Sequence, residues 1–374
     1  MTEGWESKPF VECLERVTYT PKIQRKDFLR EGPYPIVSQE DQFINGYWDR
    51  GADLFRLTKP VVVFGDHTKV LKYIDFDFVL GADGVKILQP LDFLEPKFLF
   101  YRLQMANLDS LGYARHYRLL KELDVAYPPR PEQQRIVDIL DEAFEDLAAA
   151  RESAEKNLRN ARALFESHLH SVFNRPAEGS MVPIGDVAEV FDGPHATPKT
   201  VESGPVFLGI SALQDGAVNL GATRHVTPDD FLKWTRRVMP RTDDVVFSYE
   251  TRLGQAAIIP EDLKCCLGRR MGLVRVDPNR VDPRFFVYQY VSPQFRQFLE
   301  SRTIHGATVD RIAIREFPSF PAWIPPLADQ EQIIEELDAF RDQTHRLDSI
   351  YQRKLAALDE LEQSLLHRAF GGHL

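Results

Sequence analysis

From Ile136 to Val172, apolar residues return at every third or fourth position: Ile136, Leu140, Ala143, Leu147, Ala150, Ala154, Leu158, Ala161, Phe165 and Val172, with His168 standing in the same row. A second row runs through Ile333, Leu337, Phe340, Leu347, Ile350, Tyr351, Leu355, Leu358, Leu361, Leu365 and Ala369. Alternation of three and four is the period of a helix that buries one narrow stripe against a partner helix. Neither Gly nor Pro interrupts the first row between Pro131 and Pro176, and none interrupts the second before Gly371. The spacing therefore predicts two long helices, over 131–173 and 328–370. Ile136, Leu140, Leu147 and Leu158 are expected in the seam of the first helix. Ile333, Leu337, Leu347, Leu355 and Leu361 are expected in the seam of the second. At about 1.5 Å per residue each helix is a rod of roughly 60 Å. Each would expose its stripe if alone, so the expected partner is the other rod.

The two rows are copies. An offset of 197 positions aligns 43 residues without a gap, and ten pairs are identical, among them Gln133/Gln330, Asp141/Asp338 and the closing S-x-L-H-x-x-F. Each helix is preceded by a related phrase, YPPRPEQQRIV before the first and IPPLADQEQII before the second. The stretches upstream repeat more loosely. KPVVVFGDHTKV answers DDVVFSYETRLG, FVLGADGVKIL answers CCLGRRMGLVRV, and EPKFLFYRLQ answers DPRFFVYQYV. Short β-rich runs with Gly and Pro turns predict a compact mixed α/β globule in each copy. The expected fold is α+β: globules at 1–130 and 176–326, alternating with helical regions at 131–175 and 327–374. The two helices are expected to pair as an antiparallel coiled coil with internal pseudo-two-fold symmetry.

Charge sharpens this division. The chain has a formal net charge of −10, and nine of those ten negative charges fall in 131–173 and 327–374. The globular segments are near neutral, so the acidic total does not exclude a polyanionic partner. No apolar run is long enough to cross a membrane. The start, MTEGWESKPFVEC, has no secretory pattern, and three cysteines make no disulfide framework, so a cytoplasmic location is expected. There is no glycine-rich phosphate loop, no metal-ligand spacing and no Asn/Asp-Pro-Pro-aromatic loop for a flipped base; Tyr127-Pro128-Pro129-Arg130 lacks both ends of the latter. A non-catalytic binder is the expectation.

The order of globule, P-P-x-x-x-Q-x-x-I-[IV] and long helix, written twice, resembles the specificity subunit of type I restriction–modification systems. DGPHATPK, from Asp192, is similar to the opening of that family's target-recognition domains. Arg130-Pro131 departs from the family's usual Leu-Ala. The resemblance implies two target-recognition domains separated by spacer helices and a bipartite double-stranded DNA target. It also implies two methyltransferase subunits and nuclease-translocase subunits as partners, with S-adenosylmethionine, ATP and Mg bound by those partners and no cofactor on this chain.

Reading DNA needs side chains with paired donors or acceptors, and aromatic residues that pack against sugar or base. In the first globule, GDHTKVLKY offers His67, Thr68, Lys69, Lys72 and Tyr73, and Arg115, His116 and Arg118 lie nearer the proline pair. In the second, SYETRLGQ offers Tyr249, Thr251, Arg252 and Gln255. Lys233, Arg236 and Arg237 flank Trp234, and Arg269, Arg270, Arg302, His305, Thr308 and Arg311 follow. The bland alternative for each is a solvated face or an ordinary turn. Gln133 and Gln330 are expected to cap the helix or touch a partner, not a base. The competing function is a coiled-coil adaptor whose globules bind proteins; a catalytic site in one globule ranks below both. On the specificity reading the rods act as a ruler. Deleting two heptads at equivalent places, near 148–161 and 345–358, is expected to preserve both half-site sequences while shortening their spacing or abolishing binding. Mapping the methylated sites of the assembled complex checks this, and unchanged spacing would contradict it.

Overall fold

The computed structural model describes residues 4–81, 84–106, 115–174, 181–214, 216–306 and 309–374. It contains two α-helices of 44 residues, Arg130–Phe173 and Leu327–Phe370. Both end where the apolar periodicity does and start one residue before the predicted helices. Contacts group the chain into one unit of Met1–Glu155 with Arg353–Leu374, and another of Lys156–Gln352. Each unit holds one α+β globule and a portion of both long helices.

In the first unit, strand Val61–Gly65 runs between Leu71–Ile74 and Val85–Leu88, antiparallel to both. All five of its residues are buried. Successive side chains of a strand point to opposite faces. Val62 and Phe64 accordingly join Phe98 and Leu99 of helix Pro96–Gln104, while Val61 and Val63 join Val37, Phe78 and Leu80. The unbroken run VVVF thus serves two cores. The second core includes the parallel strands Tyr34–Val37 and Phe78–Leu80.

The second unit repeats the plan. Val245–Ser248 lies between Ala256–Ile258 and Met271–Val276, antiparallel to both. Val245 and Phe247 face Phe286 and Tyr290, whereas Val246 faces Leu208, Cys265 and Leu267. Val201–Leu208 and Cys265–Leu267 form the equivalent parallel pair. Gly81 and Gly268 follow these parallel pairings. A Cβ on Gly81 would lie 2.5 Å from the Ser38 Cβ, and one on Gly268 would lie 2.2 Å from the Leu208 carbonyl oxygen. No side chain fits at either position.

Each globule closes with an antiparallel strand pair immediately before the prolines, Glu6–Pro9 with Asp124–Tyr127 and Met181–Pro183 with Pro321–Trp323. The first turn of each long helix then carries a fully buried glutamine. Gln133 Oε1 accepts the Glu95 N–H at 2.7 Å, and its Nε2 donates to the carbonyls of Phe93 (2.9 Å) and Pro128 (2.8 Å). Gln330 Oε1 accepts the Asp282 N–H at 2.9 Å, and its Nε2 donates to Arg280 (2.9 Å) and Pro325 (2.8 Å). Glu95 and Asp282 are the N-cap residues of the globular helices Pro96–Gln104 and Pro283–Val291. Two turns further on, Asp141 accepts from Tyr101 Oη at 2.5 Å and pairs with Lys97 Nζ at 2.6 Å. Asp338 does the same with Tyr288 and Arg284. Burial, then the aspartate beside it, pushes the Tyr101 hydroxyl pKa up. It therefore stays a donor at neutral pH.

Within each unit the two long helices run antiparallel. In the first, Ile136 and Leu140 share a core with Leu366, Ala369 and Phe370, while Arg151 pairs with Asp359 at 2.5 Å and Glu362 at 3.2 Å. In the second, Arg162 pairs with Asp348 at 2.5 Å, His168 stacks on Phe340, and Leu169 and Val172 pack with Ile333 and Leu337. The seam differs from expectation at two positions of the second helix. Leu347 and Leu361 are exposed, and Ile350 with them. Buried Thr344 and half-buried Asp348 take the inward positions instead. Thr344 Oγ1 returns its hydrogen bond to the carbonyls of Phe340 and Arg341. A seven-residue step from Gln330 reaches Leu337, Thr344, Tyr351, Leu358 and Leu365, a register that misses Leu347 and Leu361.

Replacing Gln330 by alanine would leave one N–H and two carbonyls without a partner, at about 1–3 kcal/mol for each buried group. Gln330→Ala is expected to lower unfolding stability by about 3 kcal/mol in guanidinium titrations. Gln332→Ala, at an exposed position, is expected to change it by under about 0.5 kcal/mol.

Candidate nucleic-acid interface

In the first unit the turn after Val61–Gly65 is closed by Gly65 N–H to the Val70 carbonyl and Lys69 N–H to the Gly65 carbonyl, both 2.8 Å. Lys69 takes a left-handed φ of 64°. Asp66 is buried and ties this turn to the segment at 115–118. Its carbonyl accepts the His116 N–H at 2.7 Å, and its Oδ1 accepts the Tyr117 N–H at 2.8 Å. Thr68 Oγ1 donates to the Gln39 carbonyl at 2.6 Å. Two groups of residues that lie fifty positions apart in sequence therefore form one surface. Thr68, Arg115 and Arg118 are exposed on it, and His67 and Lys69 are half-buried.

Three proposed readers in this unit have other roles. Lys72 lies in the strand, not the turn, and is buried; its Nζ donates to the Ser38 carbonyl at 2.9 Å and Asn45 Oδ1 at 3.1 Å. Burial pushes its pKa down, yet the cation is held by oxygens and has no path to a phosphate. His116 is buried, with Nδ1 3.1 Å from the Asp66 carbonyl. Tyr73 is half-buried against Phe100, with Lys97 over its ring, and burial pushes its hydroxyl up to about 12. Lys72 and Tyr73 adjoin the polar turn in sequence and His116 adjoins Arg115 and Arg118, but the alternation of the strand turns Lys72 inward.

The second unit joins the equivalent segments more extensively. The Tyr249 N–H donates to the Arg270 carbonyl at 3.3 Å, the Ile312 N–H to the Tyr249 carbonyl at 2.9 Å, and the Thr251 N–H to the Asp310 carbonyl at 3.1 Å. Three stretches distant in sequence thus converge. Asp192 sits among them: Tyr249 Oη donates to its Oδ1 at 3.0 Å, His195 Nε2 lies 2.9 Å from Oδ2, and Arg237 lies at 3.9 Å. Glu250, whose side chain is 9% exposed, holds Arg270 Nε at 2.5 Å. His305 pairs with Asp310 at 3.0 Å. Arg236, Arg237, Thr251, Arg269 and Arg311 are exposed.

Tyr249 corrects another sequence reading. It is buried, and burial together with Asp192 pushes its pKa up, so the hydroxyl stays protonated and braces the loop from behind. Arg252 is exposed and reaches the Ile210 carbonyl at 3.4 Å. Gln255 is half-buried and lines a cavity of about 1160 Å³ with residues such as Arg159, Arg162 and Tyr288. Lys233 is exposed in the last turn of helix Pro228–Trp234. Arg302 lies over Phe298. Thr308 lies outside the described residues. Sequence reasoning missed Asp66, Asp192, Glu250 and Asp310, because a search for DNA contacts looks for cations and passes over the carboxylates that position them.

The buried cation separates structure from surface experimentally. Lys72→Met takes the donor from the carbonyls of Ser38 and Gln42, while Asn45 Oδ1 keeps the Ser38 N–H, so a urea-midpoint loss worth about 1–3 kcal/mol is expected. Arg236→Ala, on the exposed face, is expected to stay within about 0.5 kcal/mol of the parent.

Known proteins resemble this chain in sequence and fold. Residues 176–353 match the family model described as the type I restriction modification DNA specificity domain. The chain is 21% identical over 351 residues to the EcoR124I/EcoR124II specificity subunit of Escherichia coli, covering 87% of this chain and 83% of that protein. It is 20% identical over 176 residues to the EcoBI specificity subunit of the same organism, covering 46% of this chain and 36% of that one. A solved chain from work on complex assembly and conformational transition of the type I R-M system superposes with a TM-score of 0.76 at 20% identity, covering 100% of this chain and 99% of its own. The HsdS subunit from Thermoanaerobacter tengcongensis superposes with a TM-score of 0.57 at 19% identity, covering 100% and 98%. Residues 176–353 thus match the type I restriction modification DNA specificity domain, and over most of its length the chain is similar to specificity subunits of those systems.

Proposed function

We propose that this chain reads a bipartite double-stranded DNA target, one part with each globule, and recruits methyltransferase and nuclease-translocase subunits to it. One observation carries the reading: in both globules the same pair of segments, a strand-end loop and the stretch before the proline pair, is joined by backbone hydrogen bonds into a surface that presents Arg115 and Arg118 in one and Arg311 in the other, where the adjoining turn before Met271–Val276 adds Arg269. Exposed cations neutralise phosphates and release counterions, while arginine and threonine side chains match base edges. The acidic long helices are kept apart from this task by composition. Leu347 and Ile350 are exposed on one of them and offer apolar contact to a partner subunit. S-adenosylmethionine, ATP and Mg belong to the partner subunits in this reading.

The test uses the chain assembled with its methyltransferase subunits. Gel shifts on DNA carrying its methylated site are expected to weaken steeply as salt rises. Arg269→Ala and Arg311→Ala should each lower affinity and reduce the log–log salt slope by about one if each contacts a phosphate. Exchanging residues 1–130 for the equivalent segment of another specificity subunit should change one half of the methylated motif and leave the other intact. Salt-independent binding, or a motif unaltered by the exchange, would sink the reading.

A further inference from the structure

The two globules differ at one position where their backbones agree. Gly84 and Arg270 each immediately precede the strand that pairs with the central one, in the registers Gly65↔Val85 and Ser248↔Met271. Their carbonyls accept equivalent hydrogen bonds, from the Asp66 N–H at 2.7 Å and from the Tyr249 N–H at 3.3 Å. Both residues have positive φ, 100° for Gly84 and 69° for Arg270. Glycine adopts this conformation without a steric penalty, whereas a side chain with a Cβ is strained in it. In the first globule a Cβ at position 84 would also come within 2.5 Å of Gln39 Oε1. The second globule instead keeps a long side chain at the strained position and holds it. Glu250, nearly buried, grips the Arg270 Nε at 2.5 Å, and the Arg270 side chain is 29% exposed. Thr251, next to Glu250, is strained in the same way, with φ 69°. Strain that the surroundings enforce gathers where a side chain must be aimed.

We propose that Arg270 is a specificity-determining residue, directing its terminal guanidinium nitrogens to the major-groove edge of a guanine in the part of the target read by the second globule. Glu250 is its positioning residue. The chemistry follows from the fork. Nε is occupied by the carboxylate, which fixes the plane of the group, and the two terminal nitrogens match the O6 and N7 acceptors of guanine. Gly84 offers no side chain, so the first globule lacks this contact. The proposal rests on the DNA-reading function above.

The experiment maps methylated sites on a randomised DNA library, using this chain assembled with its methyltransferase subunits. Arg270→Ala and Arg270→Lys are expected to make one guanine position in the second globule's half of the motif degenerate, lowering discrimination there about 10- to 100-fold. The other positions should be unchanged. Glu250→Gln should give a smaller loss at that same position. Arg270→Gly relieves the strained φ but leaves the Glu250 carboxylate without its cation, so it is made in the Glu250→Gln background, where it should keep the melting temperature of Glu250→Gln alone and still lose the guanine preference. An intact motif in Arg270→Ala overturns the proposal. So does an equal loss of methylation at all sequences, which marks a phosphate contact, or a clear drop in melting temperature when Arg270→Gly is added to Glu250→Gln, which marks a structural arginine. If the parent complex methylates without sequence preference, the DNA-reading function itself fails, and this inference with it.

Discussion

A carboxamide buried at the first turn of each long helix holds the rest of the structure in place. Helix starts leave backbone N–H groups without partners, and the strand-to-helix corner at Pro-Pro leaves carbonyls with none. Gln133 and Gln330 answer both deficits at once. Each supplies one acceptor to the N-cap N–H of the globular helix and two donors to carbonyls, one of them the first proline of the pair. No other side chain offers an uncharged donor pair and an acceptor at that reach. The aspartates two turns on, Asp141 and Asp338, add a tyrosine and a cation to the same junction. The globular helix is thereby fixed to the long helix in each unit, so the loops on the globule are carried on a rigid base.

That rigidity matters because the proposed recognition surface is built from loops. In the second unit, four stretches far apart in sequence meet through Asp192, Glu250 and backbone bonds. Nearly buried Glu250 fixes the guanidinium of Arg270, and half-buried Asp192 stands beside Arg237, before any ligand arrives. A cation that is already aimed loses less conformational freedom on binding than one that is free to wander. The excess acid of a chain of net charge −10 lies in the long helices, which leaves the globules near neutral.

Much of this was legible in the linear sequence. The two long helices, their start at the proline pairs and their end near Phe173 and Phe370 follow from apolar periodicity and the absence of Gly and Pro. The repeat of the globular plan follows from the order of matched segments. VVVF and VVF announce fully buried strands. The loops at 66–69 and 249–255 were identifiable as polar turns between such strands, and Arg115, Arg118, Arg269 and Arg311 as exposed cations near them.

Other features were decided only by tertiary packing. Lys72 and His116 look like DNA ligands by composition, yet strand alternation and the position of Asp66 turn them into interior hydrogen-bond partners. Leu347 and Leu361 fit the alternation of three and four, but register is set from Gln330, and the inward places go to Thr344 and Asp348. The pairing of Glu250 with Arg270 joins residues twenty positions apart through a strand register that no local pattern encodes. The sequence by itself determined the repeat, the helices and the order of strands, because periodicity and turn chemistry act between near neighbours. Tertiary structure alone decided which polar groups face outward, because that depends on which distant carbonyl or carboxylate lies within hydrogen-bonding reach.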